Sequence, residues 1–359
     1  MSLGIGIVGL PNVGKSTLFN ALTDNNILAA NYPFATIEPN TGVVPIPDGR
    51  LAKLSEMYNN APIKPATVNF VDIAGLVAGA SQGEGLGNQF LANIRSCNAI
   101  AHVVRAFEDP DVQHVDQEHS PDKDIEIITT ELVLADLQTV QKRLPKLQKE
   151  ARANPKLRTE VGALEKIHAT LDAGKPVYGA LTDDELAGLE DLQLITMKPT
   201  IYVFNVDEQT LADANKKQKL AQLVSPAQHV FVCAKLESEL RGLDETDRQE
   251  LLESYGVTSS GLEQLVHAAY DILGLQSYLT AGEQEVRAWT IPKGATAPQA
   301  AGVIHTDFER GFIAAEVISY SDLIESGSLQ AAKTQGKLRL EGKTYVVQPD
   351  DIIEFKFNV

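Results

Sequence analysis

Gly9-Leu10-Pro11-Asn12-Val13-Gly14-Lys15-Ser16 is the stretch on which the reading of this chain turns. It fits G-x-x-x-x-G-K-[ST] and lies after the apolar run Leu3 to Val8 and before the helical run Thr17 to Leu22, where a phosphate-binding loop must lie. Its glycines let backbone N–H groups curl around phosphate oxygens, and the helix start adds its dipole. In this reading Asn12, Val13, Gly14 and Thr17 wrap the phosphates, Lys15 bridges the β and γ groups, and the Ser16 hydroxyl ligates Mg²⁺. The motif implies a triphosphate ligand and a parallel sheet beneath it.

Outward from the loop, apolar runs alternate with glycine turns and amphipathic segments, the pattern of an α/β fold. Strands are expected at Leu3 to Val8, Val68 to Val71, Ile100 to Phe107, Pro199 to Phe204 and His229 to Cys233. Between Phe107 and Pro199 lie about ninety residues poor in glycine, too long for an ordinary crossover. Leu137, Val140, Leu144, Leu147 and Ala151 recur at spacings of three and four, and Leu157, Val161, Leu164, Ile167 and Leu171 repeat the rhythm after Asn154-Pro155. Two antiparallel helices are expected, with a kink at Pro145. From about Leu275 β-rich runs return at Val286 to Ile291, Gly311 to Ser319 and Ile352 to Phe357, with Ala281 to Glu285 read as the connection to a separate α+β domain.

A second carboxylate is needed near the loop, and Asp72-Ile73-Ala74-Gly75 supplies D-x-x-G after a strand, about 56 residues beyond Ser16. Asp72 is assigned to Mg²⁺ through water, the Gly75 N–H to the γ-phosphate, and the Thr36 hydroxyl to the metal in the triphosphate state. GTPases read guanine with N-K-x-D, whose Asp pairs with N1–H and the exocyclic amine. Here the place reads Asn205-Val206-Asp207-Glu208, so a carboxylate one methylene longer stands at the reading position and Val206 replaces the bracing Lys. Preference for ATP, or tolerance of both nucleotides, is expected; a strict GTPase is the alternative. Cys233-Ala234-Lys235 is similar to the S-A-K loop that faces the base. Leu76 stands where a water-orienting Gln belongs, so turnover should be slow, and His114 is the candidate for positioning the attacking water.

These residues, with Asn31 to Asn40, the run from Asp72 through Val77 into Gly83-Glu84-Gly85-Leu86-Gly87-Asn88, and Arg287-Ala288-Trp289-Thr290, resemble the YchF (Obg-like ATPase) family of the Obg branch of translation-associated P-loop GTPases. The resemblance covers essentially the whole chain. It implies a Ras-like P-loop NTPase domain (1–120 with 197–280), an inserted helical coiled-coil domain (121–196) and a C-terminal β-grasp TGS domain (281–359). It also implies ATP hydrolysis, a loop histidine acting in hydrolysis, and association with ribosomes. Related GTPases with Asn at the place of Asn12 use it beside a monovalent cation, so K⁺ is a candidate activator. A nucleotide-gated ribosome- or RNA-binding scaffold with incidental hydrolysis is the other alternative.

Composition sets limits. Of 359 residues 43% are hydrophobic and 22% charged, enough for more than one core. No apolar run reaches the roughly 20 residues of a bilayer span, and no basic leader precedes the first strand, so a cytoplasmic monomer without membrane contact is expected. Cys97 and Cys233 lack metal or disulfide spacing and are read as reduced, buried thiols. A net charge of −17 excludes the whole surface as a polyanion binder. RNA contact requires a local patch, for which Arg287, Lys293, Arg310, Lys333, Lys337 and Arg339 are candidates.

Overall fold

The computed structural model describes residues 3–24, 40–73, 86–107 and 120–358. Its strands in chain order are β1 Gly4–Val8, β2 Thr41–Pro45, β3 Ile63–Lys64, β4 Thr67–Asp72, β5 Ala99–Ala106, β6 Thr200–Val206, β7 Gln228–Val232, β8 Leu275–Ala281, β9 Val286–Pro292, β10 Phe312–Ser319, β11 Arg339–Glu341 and β12 Asp351–Phe357. Two compact units result, Met1–Val43 with Asn69–Ile272 and Val44–Val68 with Leu273–Val359.

The first unit is built on a sheet of order β2-β4-β1-β5-β6-β7. β1 runs parallel to both β4 and β5, and β5, β6 and β7 continue parallel. Helices cover both faces, so the central strands are apolar almost without alternation, and Ile5, Ile7, Phe70, Ile100 and Phe204 are fully shielded from water. All five expected strands form within a residue or two. The strand order reverses direction at β1, and ligands of open α/β sheets bind at the carboxyl ends of strands beside such a switch point. Helix α1 (Lys15–Asp24) starts there.

The inserted segment is a hairpin of α2 (Pro121–Ala153) and α3 (Arg158–Asp172). Pro145 sits inside an unbroken 33-residue helix. The two stripes meet as expected: Val140, Leu147, Leu164, Ile167 and Leu171 form one buried cluster, flanked by Leu137, Leu144, Leu157 and Val161. Val177, Leu189 and Leu194 close it from the returning chain, which makes it a small core rather than a bare two-helix seam.

In the second unit the order is β11-β10-β12-β8-β9-β3, with β8 antiparallel to β9, parallel to β12, and β12 antiparallel to β10. A hairpin, a helix (Ala297–Ile304) and two more strands with the first and last side by side make a β-grasp sheet. Two expectations need correction. Ala281 to Glu285 is the turn of the β8–β9 hairpin, closed by Gly282 N–H to Glu285 O at 3.1 Å, and is not a connection between domains. The unit therefore begins before β8 rather than at 281, and it also contains 44–68, which the sequence reading left in the nucleotide domain. A short polar turn and a linker have the same composition; only pairing distinguishes them.

One buried carboxylate anchors the hairpin's return. Asp136 on α2 is fully buried and accepts from Ile195 N–H at 3.0 Å, Thr196 N–H at 2.7 Å and the Thr196 hydroxyl at 2.7 Å. Asp136→Ala leaves three donors unpaired and should cost about 3 kcal/mol. The expected result is a lower urea midpoint at unchanged m-value, with Asp136→Asn intermediate; an unaltered midpoint in the alanine variant would remove this anchor from the account of stability.

Candidate nucleotide-binding site

The loop between β1 and α1 takes its shape from two residues in the left-handed backbone region, Asn12 at φ 62° and Gly14 at φ 97°. Asparagine tolerates that region better than most side chains, and glycine has no Cβ to exclude. Gly14 is also constrained from outside: a Cβ there would lie 2.4 Å from Asn205 Nδ2. Gly9 is pressed equally hard, since its Cβ would lie 2.5 Å from the Val103 carbonyl on β5. Helix α1 closes with Leu18 N–H donating to Gly14 O at 2.9 Å, and Ser16 and Thr17 stand exposed in its first turn.

Lys15 is buried, and its ammonium donates to the Leu10 carbonyl at 2.6 Å. Burial pushes its pKa down to about 8, with nearby Asp72 pulling the other way. Asp72, at the end of β4, is raised by the same burial and lowered by Lys15. A cation and a carboxylate at the ends of adjacent strands are thus both short of solvation, which is the state that a phosphate and a hard metal ion relieve. Among the described residues no cluster of His, Cys, Asp or Glu forms an all-protein metal cage. A hydroxyl and a single carboxylate, with phosphate and water completing the shell, suit Mg²⁺. Thr36, Gly75 and His114 lie outside the described residues.

At the other end, Asn205 ends its run on β6 buried, and its Nδ2 donates to the Val13 carbonyl at 3.0 Å. Asp207 caps the helix Glu208–Ala212 by accepting from Thr210 N–H at 2.7 Å, so it is committed to the backbone. Glu208, the other carboxylate of the motif, is engaged by side chains instead. Both its oxygens accept from Lys235 Nζ at 2.8 Å, and the Tyr255 hydroxyl adds a bond of 2.7 Å. These partners hold the Glu208 carboxyl below its usual range, and the same bond pushes Tyr255 up to about 12. Cys233 is buried ahead of the helix Ala234–Glu239 and gives it no side-chain cap. A cavity of about 280 Å³ runs from Gly14 and Thr17 past Asn205 to Ala234 and Glu237.

Among the described candidates Asn205 meets Val13, Lys15 lies near Asp72 and Lys235 meets Glu208, and two side chains differ from the expected role. Val13 and Val206 are 1% and 3% exposed, so their side chains belong to the core and only their backbones remain for a ligand. Tyr255 was not anticipated: it lies 47 residues from Glu208 in no recognisable motif.

Comparison with known proteins gives the family and the fold. A family model described as 50S ribosome-binding GTPase matches residues 4–137, and the YchF-GTPase_C model matches 275–358. Proteins named ribosome-binding ATPase YchF are 49% identical in Bacillus subtilis and 52% identical in Haemophilus ducreyi, each over 100% of both chains. The chain belongs to the YchF family. The structure of the Schizosaccharomyces pombe YchF GTPase is similar at TM-score 0.85 and 38% identity, over 99% of this chain and 98% of that one. A GTP-binding protein from Pyrococcus horikoshii, at 22% identity and TM-score 0.61, shares the fold. As a YchF protein the chain is a P-loop nucleoside triphosphate hydrolase.

The YchF phosphate loop makes a protonation test possible. Free Lys15 titrates near 8, and a bound triphosphate favours its charged form and raises that value. At about pH 8 roughly half of the sites must therefore take up a proton on binding, whereas well below it Lys15 is already charged. Calorimetry of Mg²⁺ATP binding in buffers of different ionisation enthalpy should show uptake of about half a proton at pH 8 and near zero at about pH 6.5. Equal values at both would place Lys15 away from the phosphates.

Proposed function

We propose that this chain is a purine nucleoside triphosphatase that prefers ATP to GTP and acts as a nucleotide-dependent switch on the ribosome in the cytoplasm. The observation that carries the reading is the buried Lys15 beside Asp72 at the start of α1, in a loop whose carbonyl is held by Asn205. Ser16, Thr36 and Asp72 hold Mg²⁺, which when bound neutralises charge on the β and γ oxygens. Lys15 donates to the same oxygens and the Gly75 N–H meets the γ-phosphate. His114 positions the water that Leu76 leaves unattended, and K⁺ beside Asn12 is the second cation of this reading. Unchanged turnover in His114→Ala, or equal rates in Na⁺ and K⁺, would remove the corresponding assignment.

The ATP preference follows from Glu208. Guanine recognition requires a carboxylate with both oxygens available to two base donors, and here Lys235 and Tyr255 engage them. Adenine has no such donor pair to satisfy and loses nothing. Competitive titration should give tighter ATP than GTP binding, both abolished by Lys15→Ala with Ser16→Ala. Freeing Glu208 with Tyr255→Phe and Lys235→Met should shift the GTP to ATP ratio toward GTP by roughly tenfold. Tighter GTP binding in the unaltered chain supports the strict GTPase instead.

Ribosome binding, which the relatives' name records, needs a surface for RNA phosphates. In the last unit Arg287 lies over the Trp289 ring beside Glu285, Lys337 is paired with Asp322 and Glu325, and Arg339 with Glu341 and Asp351, so three of the six candidate cations are neutralised in place. The tip of the α2–α3 hairpin is different: residues 142–158 carry Lys142, Arg143, Lys146, Lys149, Arg152, Lys156 and Arg158 against the single carboxylate Glu150. All but Arg143 are exposed. In a chain of net charge −17 this concentration is the RNA-facing surface of the proposed switch. Replacing Lys149, Arg152 and Lys156 by Gln should reduce the slope of log affinity for ribosomes against log salt by about two to three; an unaltered slope places the contact elsewhere.

A further inference from the structure

A second cavity lies in the first unit on the sheet face beneath α2, with a volume of about 500 Å³, within the range of small-molecule sites. Its walls include the aliphatic side chains of Ile100, Ile128, Leu132 and Ile195. Into it faces His102, at the middle of β5 and 3% exposed. Its ring contacts Tyr202 on β6, centroids 5.3 Å apart, and among the described residues no hydrogen bond reaches either nitrogen. Facing the cavity, the imidazole has a donor and an acceptor to offer an occupant. Thr129, Thr196, Thr200, Tyr202 and Gln228 also line the cavity, so an occupant meets polar as well as apolar surface.

The polar groups around His102 are neutral: the Thr129 and Tyr202 hydroxyls share the cavity, and no carboxylate lines it. Burial and the charge of Lys15 hold the imidazole well down, at about 3, so it offers one donor and one acceptor at any physiological pH. The one lining cation, Lys198, turns its ammonium to the carbonyls of Arg95 and Cys97. Tyr178, 59% exposed, stands at the solvent side.

We propose that this cavity is a binding site for an uncharged small molecule with an apolar body and a polar group that hydrogen-bonds one nitrogen of His102. The site is separate from the phosphate loop but adjoins it, since His102 lies opposite Val8, the residue before Gly9, in the β1–β5 register. Its occupant also touches α2, the helix that carries the basic tip, and so sits at the seam between hairpin and sheet.

Benzimidazole, a flat neutral heteroaromatic with one N–H and one bare nitrogen, is the probe; indene has its shape without the polar edge, and benzoate carries a charge. With the full-length protein labelled at histidine nitrogen, benzimidazole should shift the His102 ring signals saturably, with half-saturation near or below about 1 mM. Indene should bind roughly fivefold more weakly. His102→Phe should level the two, and Thr129→Phe, which fills the cavity from α2, should abolish both. Tyr178→Ala, at an exposed position, is the control for folding and should retain the His102 shift. Absence of a saturable shift, equal binding in Thr129→Phe, or tighter binding of benzoate would overturn the assignment. No readout passes through a nucleotide, so failure here leaves the triphosphatase reading untouched.

Discussion

The phosphate end of this protein depends on one buried hydrogen bond, from the Asn205 amide on β6 to the Val13 carbonyl in the loop after β1. It joins two strands that are not neighbours, since β5 lies between them. The loop it holds has little freedom left: Gly14 has no room for a Cβ beneath Asn205, and Gly9 none against β5. Its Leu10 and Val13 carbonyls are taken by Lys15 and Asn205, while Ser16 and Thr17 stand exposed in the first turn of α1. Lys15 is buried beside this loop, and burial lowers its pKa against the pull of Asp72.

The base-reading end obeys a different constraint, competition for carboxylate oxygens. Asp207 and Glu208 are adjacent, yet the backbone takes the first as a helix cap and leaves the second for Lys235 and Tyr255. The site's chemistry is thus fixed by which acceptor the fold spends on itself. Exposed ion pairs of this kind contribute little to stability. Their effect is on what Glu208 can still accept, because they occupy both of its oxygens.

Much of this was legible before any coordinates. β1, β5 and β6 are buried on both faces and appear in sequence as near-continuous apolar runs, β4 and β7 alternate, and all five formed where expected. The stripes on α2 and α3 were equally plain because helical packing repeats at three and four residues. What failed to read were elements whose local composition has two meanings. β8, Leu275–Ala281, mixes polar and apolar residues without clean alternation, and the turn after it looked like a linker, so the second unit's start was misplaced. β2, Thr41–Pro45, is short and holds a glycine and a proline. Both are defined by the strands beside them.

By itself the sequence placed the G-x-x-x-x-G-K-S run, the D-x-x-G aspartate Asp72 and a Glu where N-K-x-D has its Asp, because each is a short run recognised by its spacing. The tertiary structure alone decided that Val13 and Val206 spend their side chains on the core, that Tyr255 and Lys235 meet on Glu208, and that His102 is buried against a cavity. Those facts join residues tens or hundreds of positions apart, and burial and hydrogen-bond partnership are properties of the packed chain rather than of any local run.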